Sequence, residues 1–361
     1  MPVARHRDGA RPADANAVTG QLMLIATILL IVGLVLLLGG ARFLVDAVSS
    51  LALTAGVPPI VVGLTVVAFG TSTPEVVING IAAWRGETQL AFGNVIGSCA
   101  INIGFVLAVT AMICPLQVER SIVTREIPLL MLTVAVTTVL AADATLDRAP
   151  VNILGRGDGL VLLLLFCVFL YSIVRQAIDA RHRRGGDPFI DEVQQSVQSG
   201  VVAPAAGRAG RSVGRDLSLM LVGFVGVAAG GRMVVVGATG IAHSLGVPEV
   251  VIGLTIVSFG TTLPELATCI YAARKGQSDL AIGNIVGSNL YNLLFIGGMV
   301  ATIHPVPIPA GGGMDLAAAA GLSILLLPIA IRGGFRVTRS EGLCLAAVYL
   351  GYMIIRLSTV R

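Results

Sequence analysis

Glu75 and Glu265 each stand inside a long apolar stretch, and each follows a proline, Pro74 and Pro264. A carboxylate in the hydrocarbon region of a membrane costs about 2.5 to 3.5 kcal/mol on insertion scales, so a residue that expensive is kept for its chemistry. The preceding proline has no N–H to give. In a helix the carbonyl four residues back, Gly70 or Gly260, therefore loses its partner, and the helix is expected to break there. Gly70-Thr71-Ser72-Thr73 and Gly260-Thr261-Thr262 let the backbone turn at the break and supply hydroxyls. Freed carbonyls, hydroxyls and a carboxylate make a set of hard oxygen donors, present twice. Ca²⁺ takes six to eight oxygens at about 2.3 to 2.6 Å in a flexible arrangement, and two glutamates balance its charge. Two acids converging on one empty, low-dielectric site cannot both ionise cheaply, so an unoccupied site is expected to take up a proton.

The apolar segment after each glutamate carries a polar stripe at spacings of four: Asn94, Ser98 and Asn102, then Asn284, Ser288 and Asn292. That spacing places each stripe on one helical face. Gly93 with Gly97, and Gly283 with Gly287, form GxxxG pairs that allow close helix approach in lipid. Blander readings exist for each feature. A lone intramembrane glutamate can serve only as a hydrogen-bonding strut, but a duplicated Pro-Glu argues against that. Asn and Ser on helices often stabilise packing, Arg42 and Arg232 fit snorkelling side chains, and Asn79, whose repeat counterpart is Cys269, reads as a packing residue.

These residues need a membrane-spanning scaffold. With 55% hydrophobic and 12% charged residues among 361 and a mean hydropathy of +0.90, the chain has more apolar surface than a soluble core can hide. Runs such as 22–38, 160–174 and 316–331 approach the roughly 20 residues that cross a bilayer as helix. Aromatic residues make up only 5%, and no alternating ten-residue pattern suggests a barrel. Residues 56–105 align with 246–295 at a constant offset of 190, without gaps and with 24 identities in 50 positions, so the chain is a duplication. The coarse expectation is ten spans, five per half: 22–53, 57–84, 89–114, 124–142 and 159–178, then 216–244, 247–273, 279–303, 312–331 and 338–357. An odd number per half puts the halves in opposite senses, as inverted repeats. The fold expected is thus an all-α membrane protein of two inverted five-helix repeats, broken at the second and seventh spans. Residues 1–20 read as a polar tail, 21–178 and 216–361 as the repeats, and 179–215 as a mobile basic linker. If that linker is cytoplasmic, the N-terminus lies outside. The five cysteines lack metal or redox spacing, and nothing resembles a nucleic-acid module.

The motifs Gly70-Thr71-Ser72-Thr73-Pro74-Glu75 and Gly260-Thr261-Thr262-Leu263-Pro264-Glu265, with Gly93-Asn94-Val95-Ile96-Gly97-Ser98 and Gly283-Asn284-Ile285-Val286-Gly287-Ser288, resemble the α-repeats of the cation/Ca²⁺ antiporter superfamily, in particular its sodium/calcium exchangers. The resemblance covers about 100 residues. It implies a multi-pass antiporter of the cell membrane, functional as a monomer, that exchanges Ca²⁺ for Na⁺ without a resident cofactor. Glu75 and Glu265 would be the central ligands, with the main-chain oxygens of Thr71 and Thr261. Flanking Na⁺ sites would use Ser72, Ser98 and the Ala68 carbonyl, then Thr262, Ser288 and the Ser258 carbonyl, with Asn102 and Asn292 at the remaining polar positions. The first and sixth spans would slide as a gate. Some exchangers hold aspartate where this chain has Asn292, which opens the alternative of Ca²⁺/H⁺ exchange. Cys99 stands where the second repeat has Asn289, a difference expected to have little consequence because that side chain points off the stripe. A membrane-embedded hydrolase is the reading from another class, and the absence of a His-Glu-x-x-His pattern counts against it.

Overall fold

Lipid offers no partner to a backbone N–H or C=O, so apolar runs of spanning length become helices that satisfy these groups internally. The computed structural model describes residues 12–146, 150–183, 212–246, 258–332 and 334–359. Its helices are α1 (Pro12–Ala55), α2 (Pro59–Thr71), α3 (Thr73–Trp84), α4 (Thr88–Ile113), α5 (Ile122–Leu140) and α6 (Arg156–Arg183) in the first half. The second half has α7 (Val213–Ser244), the short α8 (Ser258–Gly260), α9 (Leu263–Arg274), α10 (Ser278–Ile303), α11 (Gly312–Arg332) and α12 (Arg339–Thr359). Among the described residues eight helices are long and apolar enough to cross a membrane, and α2 with α3 forms a ninth span bent by 50°. The remaining expected span, the seventh, is represented by α8 and α9, because 247–257 lie outside the described residues. Most of the linker, and with it the expectation of mobility, also lies outside them. Helix α1 begins at Pro12 rather than near residue 21, since proline is tolerated in a first helical turn.

Helices α4 and α10 form the centre: 72% and 78% of their apolar spans are buried, against 17% for α1. The helix α1 instead lies along α7, backbone to backbone. A Cβ on Gly33 would sit 2.7 Å from the Val234 nitrogen, and one on Gly223 would sit 2.6 Å from that of Leu44. Likewise a Cβ on Gly40 would be 2.6 Å from the Val227 nitrogen, and on Gly230 2.4 Å from that of Leu37. Each pair of contacts interchanges under the offset of 190, and numbers rise along one helix as they fall along the other. That is the reciprocal, antiparallel pattern of an isologous two-fold contact.

The same reciprocity appears in two small antiparallel clips. Strand β1 (Leu116–Gln117), after the third span, pairs with β4 (Arg336–Val337), before the tenth, with Leu116 opposite Val337. Strand β2 (Ile153–Leu154), before the fifth span, pairs with β3 (Val306–Pro307), after the eighth, with Leu154 opposite Val306. Each clip thus joins a loop of one half to a loop of the other, and the relation between the halves exchanges one clip for the other. The halves also share their left-handed glycines: Gly56 and Gly246 (φ 70° and 74°) end α1 and α7, and Gly86 and Gly276 (φ 75° and 74°) follow α3 and α9.

One link breaks the equivalence. Lys275 forms an ion pair with Asp46, and Ser49 Oγ donates to Gln277 Oε1 at 2.9 Å. The equivalent positions are Val236 and Arg85, which cannot form such a pair. The glycine contacts give a direct expectation. Gly230→Val forces two backbones apart and lowers stability by about 1 to 3 kcal/mol, whereas Gly39→Ala, with no atom within 4 Å of its new Cβ, is close to neutral. Thermal unfolding of the two purified variants measures the difference.

Candidate functional site

The helix breaks fall at equivalent residues. Ser72 leaves helical geometry at φ −85°, ψ 4°, and Thr262 does so at φ −94°, ψ 1°. Proline occupies the first turn of α3 and of α9, where its missing N–H is least costly. Glu75 and Glu265 follow in those first turns, where the exposed amide end of a helix favours negative charge. Both are buried, at 2% and 1% exposure, and the Oε2 of each accepts no hydrogen bond. Two buried anionic oxygens without donors are strongly disfavoured unless a proton or a cation joins them.

Polar groups from both halves surround the pair. Ser72 does not cap its own helix; its Oγ crosses to Glu265 Oε1 at 3.3 Å. Thr71 Oγ1 bonds back to the Val67 carbonyl at 3.1 Å and reaches Asn284 Oδ1 on α10 at 3.2 Å. Asn284 Nδ2 in turn donates to Thr268 Oγ1 and to Cys269 Sγ, both at 3.3 Å. In the first half Asn94 Nδ2 donates to Asn79 Oδ1 at 3.3 Å, and Asn79 Nδ2 to the Glu75 carbonyl at 2.8 Å. Asn79 and Cys269 are thus equivalent props, one amide and one thiol, in line with a packing role. Ser98 Oγ lies 3.4 Å from Asn94 Oδ1, while Ser288 Oγ, fully buried, has no partner. Thr262 Oγ1 turns back to the Phe259 carbonyl at 2.9 Å. The Ala68 carbonyl accepts from the Ser72 amide at 3.0 Å, Thr261 lies between α8 and α9, and Ser258 opens α8.

Glycine sets the helix separations around this cluster. A Cβ on Gly63 would lie 2.7 Å from the Leu280 carbonyl oxygen, and one on Gly287 2.7 Å from that of Leu64. A Cβ on Gly283 would meet the Ile60 oxygen at 2.9 Å. The second GxxxG therefore seats α10 against α2 of the other half, which brings the Asn284 stripe to the Ser72 break.

Asn102 and Asn292 each begin or occupy a π-helical stretch, Asn102–Leu107 and Tyr291–Gly297. Such bulges widen the backbone ladder and are frequent at functional sites. Both asparagines are buried with an unpartnered Oδ1. The expectation for position 289 needs correction. Asn289 is wholly buried, its Oδ1 accepts from Asn102 Nδ2 at 3.0 Å, and its Nδ2 donates to the Cys99 carbonyl at 3.2 Å. Cys99 Sγ answers toward the Asn289 carbonyl at 3.8 Å. Cys99 and Asn289 are 190 apart, so equivalent residues meet where α4 crosses α10, and that meeting keeps Asn289 pointed inward. The sequence signal was the replacement itself, an amide facing a thiol at one repeat position.

Among the described residues no cluster of three or more His, Cys, Asp or Glu exists. Charge balance at the centre therefore falls to the two glutamates, and further ligands would be amide, hydroxyl and carbonyl oxygens. That donor set suits a hard cation.

A centrally buried carboxylate pair at two matched helix breaks, inside a bundle of apolar spans, defines a membrane transporter rather than an enzyme. The profile of the sodium/calcium exchanger protein family matches residues 25–175 and 216–358, and the chain belongs to that family of multi-pass membrane antiporters. It is 36% identical over 332 residues to the inner membrane protein YrbG of Escherichia coli, covering 92% of this chain and 96% of that one. It is 26% identical over 344 residues to the sodium/calcium exchanger MaX1 of Methanosarcina acetivorans, covering 91% and 97%. The solved sodium/calcium exchanger of Methanococcus jannaschii superposes with a TM-score of 0.75 at 27% identity, covering 92% of this chain and 98% of that one.

Removing Asn289 tests the cross-axis bridge. Asn289→Ala leaves the Asn102 amide and the Cys99 carbonyl unpaired and is expected to cost about 1 to 3 kcal/mol. A thermal melt of the variant within a degree of wild type would contradict that assignment.

Proposed function

We propose that this chain exchanges Ca²⁺ for Na⁺ across the membrane by alternating access, with Ca²⁺ held centrally between Glu75 and Glu265. The observation that carries this reading is the pair of buried, unpartnered Oε2 atoms at two equivalent helix breaks. The main-chain oxygens of Thr71 and Thr261 complete the Ca²⁺ site. Na⁺ occupies flanking positions, one at Ser72, Ser98 and the Ala68 carbonyl, the other at Thr262, Ser288 and the Ser258 carbonyl. Asn102 and Asn292 supply neutral oxygens beside them. Two carboxylates neutralise one Ca²⁺; when it leaves, sodium ions take over that charge from the hydroxyl-lined flanks. The relatives named sodium/calcium exchangers support this assignment of ions. The antiparallel pair α1 and α7, held by glycine contacts along its length, is the element that slides across the core and exposes the site to either side in turn.

A second reading is Ca²⁺/H⁺ exchange on the same scaffold. It is favoured by Asn292, which limits the centre to two carboxylates, each able to carry one proton back.

Uptake of ⁴⁵Ca²⁺ into proteoliposomes decides between them. Vesicles loaded with Na⁺ and diluted into Na⁺-free buffer are expected to accumulate Ca²⁺, and a proton gradient alone is expected to drive none. Glu75→Gln and Glu265→Gln are each expected to lower flux at least about a hundredfold, because a neutral amide removes half of the counter-charge; such a loss corresponds to about 2.7 kcal/mol. Normal flux in both variants would remove the glutamates from the site. Accumulation driven only by protons would replace Na⁺ with H⁺.

A further inference from the structure

The second half closes the space between its last two helices with an internal clasp. Asp315, at the start of α11, accepts from Arg356 Nε and from the Tyr352 hydroxyl of α12, both at 2.8 Å. The first half also carries a Tyr-x-x-x-Arg in its last helix, Tyr171 and Arg175, but set two residues further from the helix start than Tyr352 and Arg356, and position 125, equivalent to Asp315, is an arginine. The clasp cannot form. Arg175 instead leans on its own helix, with Nη1 3.4 Å from the Tyr171 hydroxyl and the guanidinium 5.9 Å from that ring. Among the described residues neither Arg125 nor Arg175 has an ion-pair partner.

A cleft opens where the clasp is missing. Between α5 and α6 lies an apolar chamber of about 270 Å³, walled by Leu129, Leu132, Val136, Leu165 and Val168. It shares Arg125, Ser172 and Gln176 with an outer chamber of about 520 Å³ that also meets Glu119, Arg175 and Asp179. Two buried polar atoms in these walls lack partners. Ser121 Oγ lies in the outer wall, and Glu126 Oε1 in the inner one; Glu126 is only 3% exposed and belongs to no part of the ion site. Glu126 faces the Arg125 charge and the Gln176 side chain, while the buried Ser121 Oγ and the exposed Arg125 and Arg175, which have no ion-pair partner among the described residues, leave donors open to an anionic group in the cleft.

We propose that this cleft is a binding site for one membrane phospholipid with a primary-amine headgroup. An acyl chain fills the inner chamber. The phosphodiester sits between Arg125 and Arg175, whose planar forks suit phosphate oxygens, with the Ser121 hydroxyl as a further donor. The ammonium group donates to the carboxylates of Glu119 and Asp179, which line the outer chamber together with both arginines. The mouth carries both signs of charge, which matches a zwitterion. Pro58, Ile60 and Val61 at the start of α2 also line the outer chamber, so the lipid packs against the first half of the broken span.

Native mass spectrometry of the delipidated, purified protein reads the site. The protein is offered phosphatidylethanolamine, phosphatidylglycerol and phosphatidylcholine in equal amounts. One phosphatidylethanolamine per chain is expected to be retained, about tenfold over either competitor. R125A/R175A is expected to reduce its retention about tenfold. Val136→Trp, which fills the inner chamber and leaves every headgroup contact in place, is expected to reduce it similarly. Only variants that elute as single symmetric peaks are read; if the double arginine variant does not fold, the lipid competition and Val136→Trp decide. Equal retention of the three lipids, preference for phosphatidylglycerol, or unchanged retention in the folded variants overturns the proposal.

Discussion

A proline in the middle of a membrane removes one backbone hydrogen bond, and the hydrocarbon around it has nothing to replace the loss. Pro74 and Pro264 impose that deficit twice, at equivalent places. The gaps must therefore be enclosed by protein, and most of the architecture can be read as that enclosure. Helices α4 and α10 are the most buried of the eight unbroken spans because they face the breaks, and glycines rather than leucines line the contact of α10 with α2 because the backbone there must come close. The carboxylates sit in the first turns after the breaks, where helix ends and missing hydrogen bonds already concentrate polarity.

The repeat, the spans and the breaks were legible in the sequence because each is a local or periodic property. Apolar length marks a span, Pro-Glu marks a break, and a constant offset marks duplication. What could not be read depends on partners far away in the chain. Strands of two residues, such as Leu116–Gln117, exist only because Arg336 and Val337 arrive beside them. The π-helical stretches at Asn102 and Tyr291 follow from packing, not propensity. Asn289 looked peripheral because its partners, Cys99 and Asn102, come from the other half. Position along one helix does not reveal which residues lie nearest the axis relating two.

Duplication gives each residue a counterpart, so departures from equivalence become informative. Ser72 and Thr262 occupy one position, yet the serine reaches across to Glu265 and the threonine folds back on Phe259. Asp315 and Arg125 occupy another, and one half is clasped where the other is open. A shared frame tolerates such differences because the clips and the central crossing of α4 and α10 hold it independently of them.

The tie between Asp46 and Lys275 has a consequence of a different kind. An exchanger made of two identical halves would have inward-facing and outward-facing forms of equal energy, each related to the other by a two-fold rotation about an axis in the plane of the membrane. Val236 and Arg85 cannot reproduce the tie in the opposite form, so the degeneracy is lifted. The pair is partly exposed, at 31% and 18%, and a pair of that kind contributes about 1 kcal/mol at most. Taken alone, that amount would correspond to a ratio of about five to one between two such forms. Under the alternating access proposed above, such a bias would give the empty carrier a preferred side of the membrane before any ion gradient is applied.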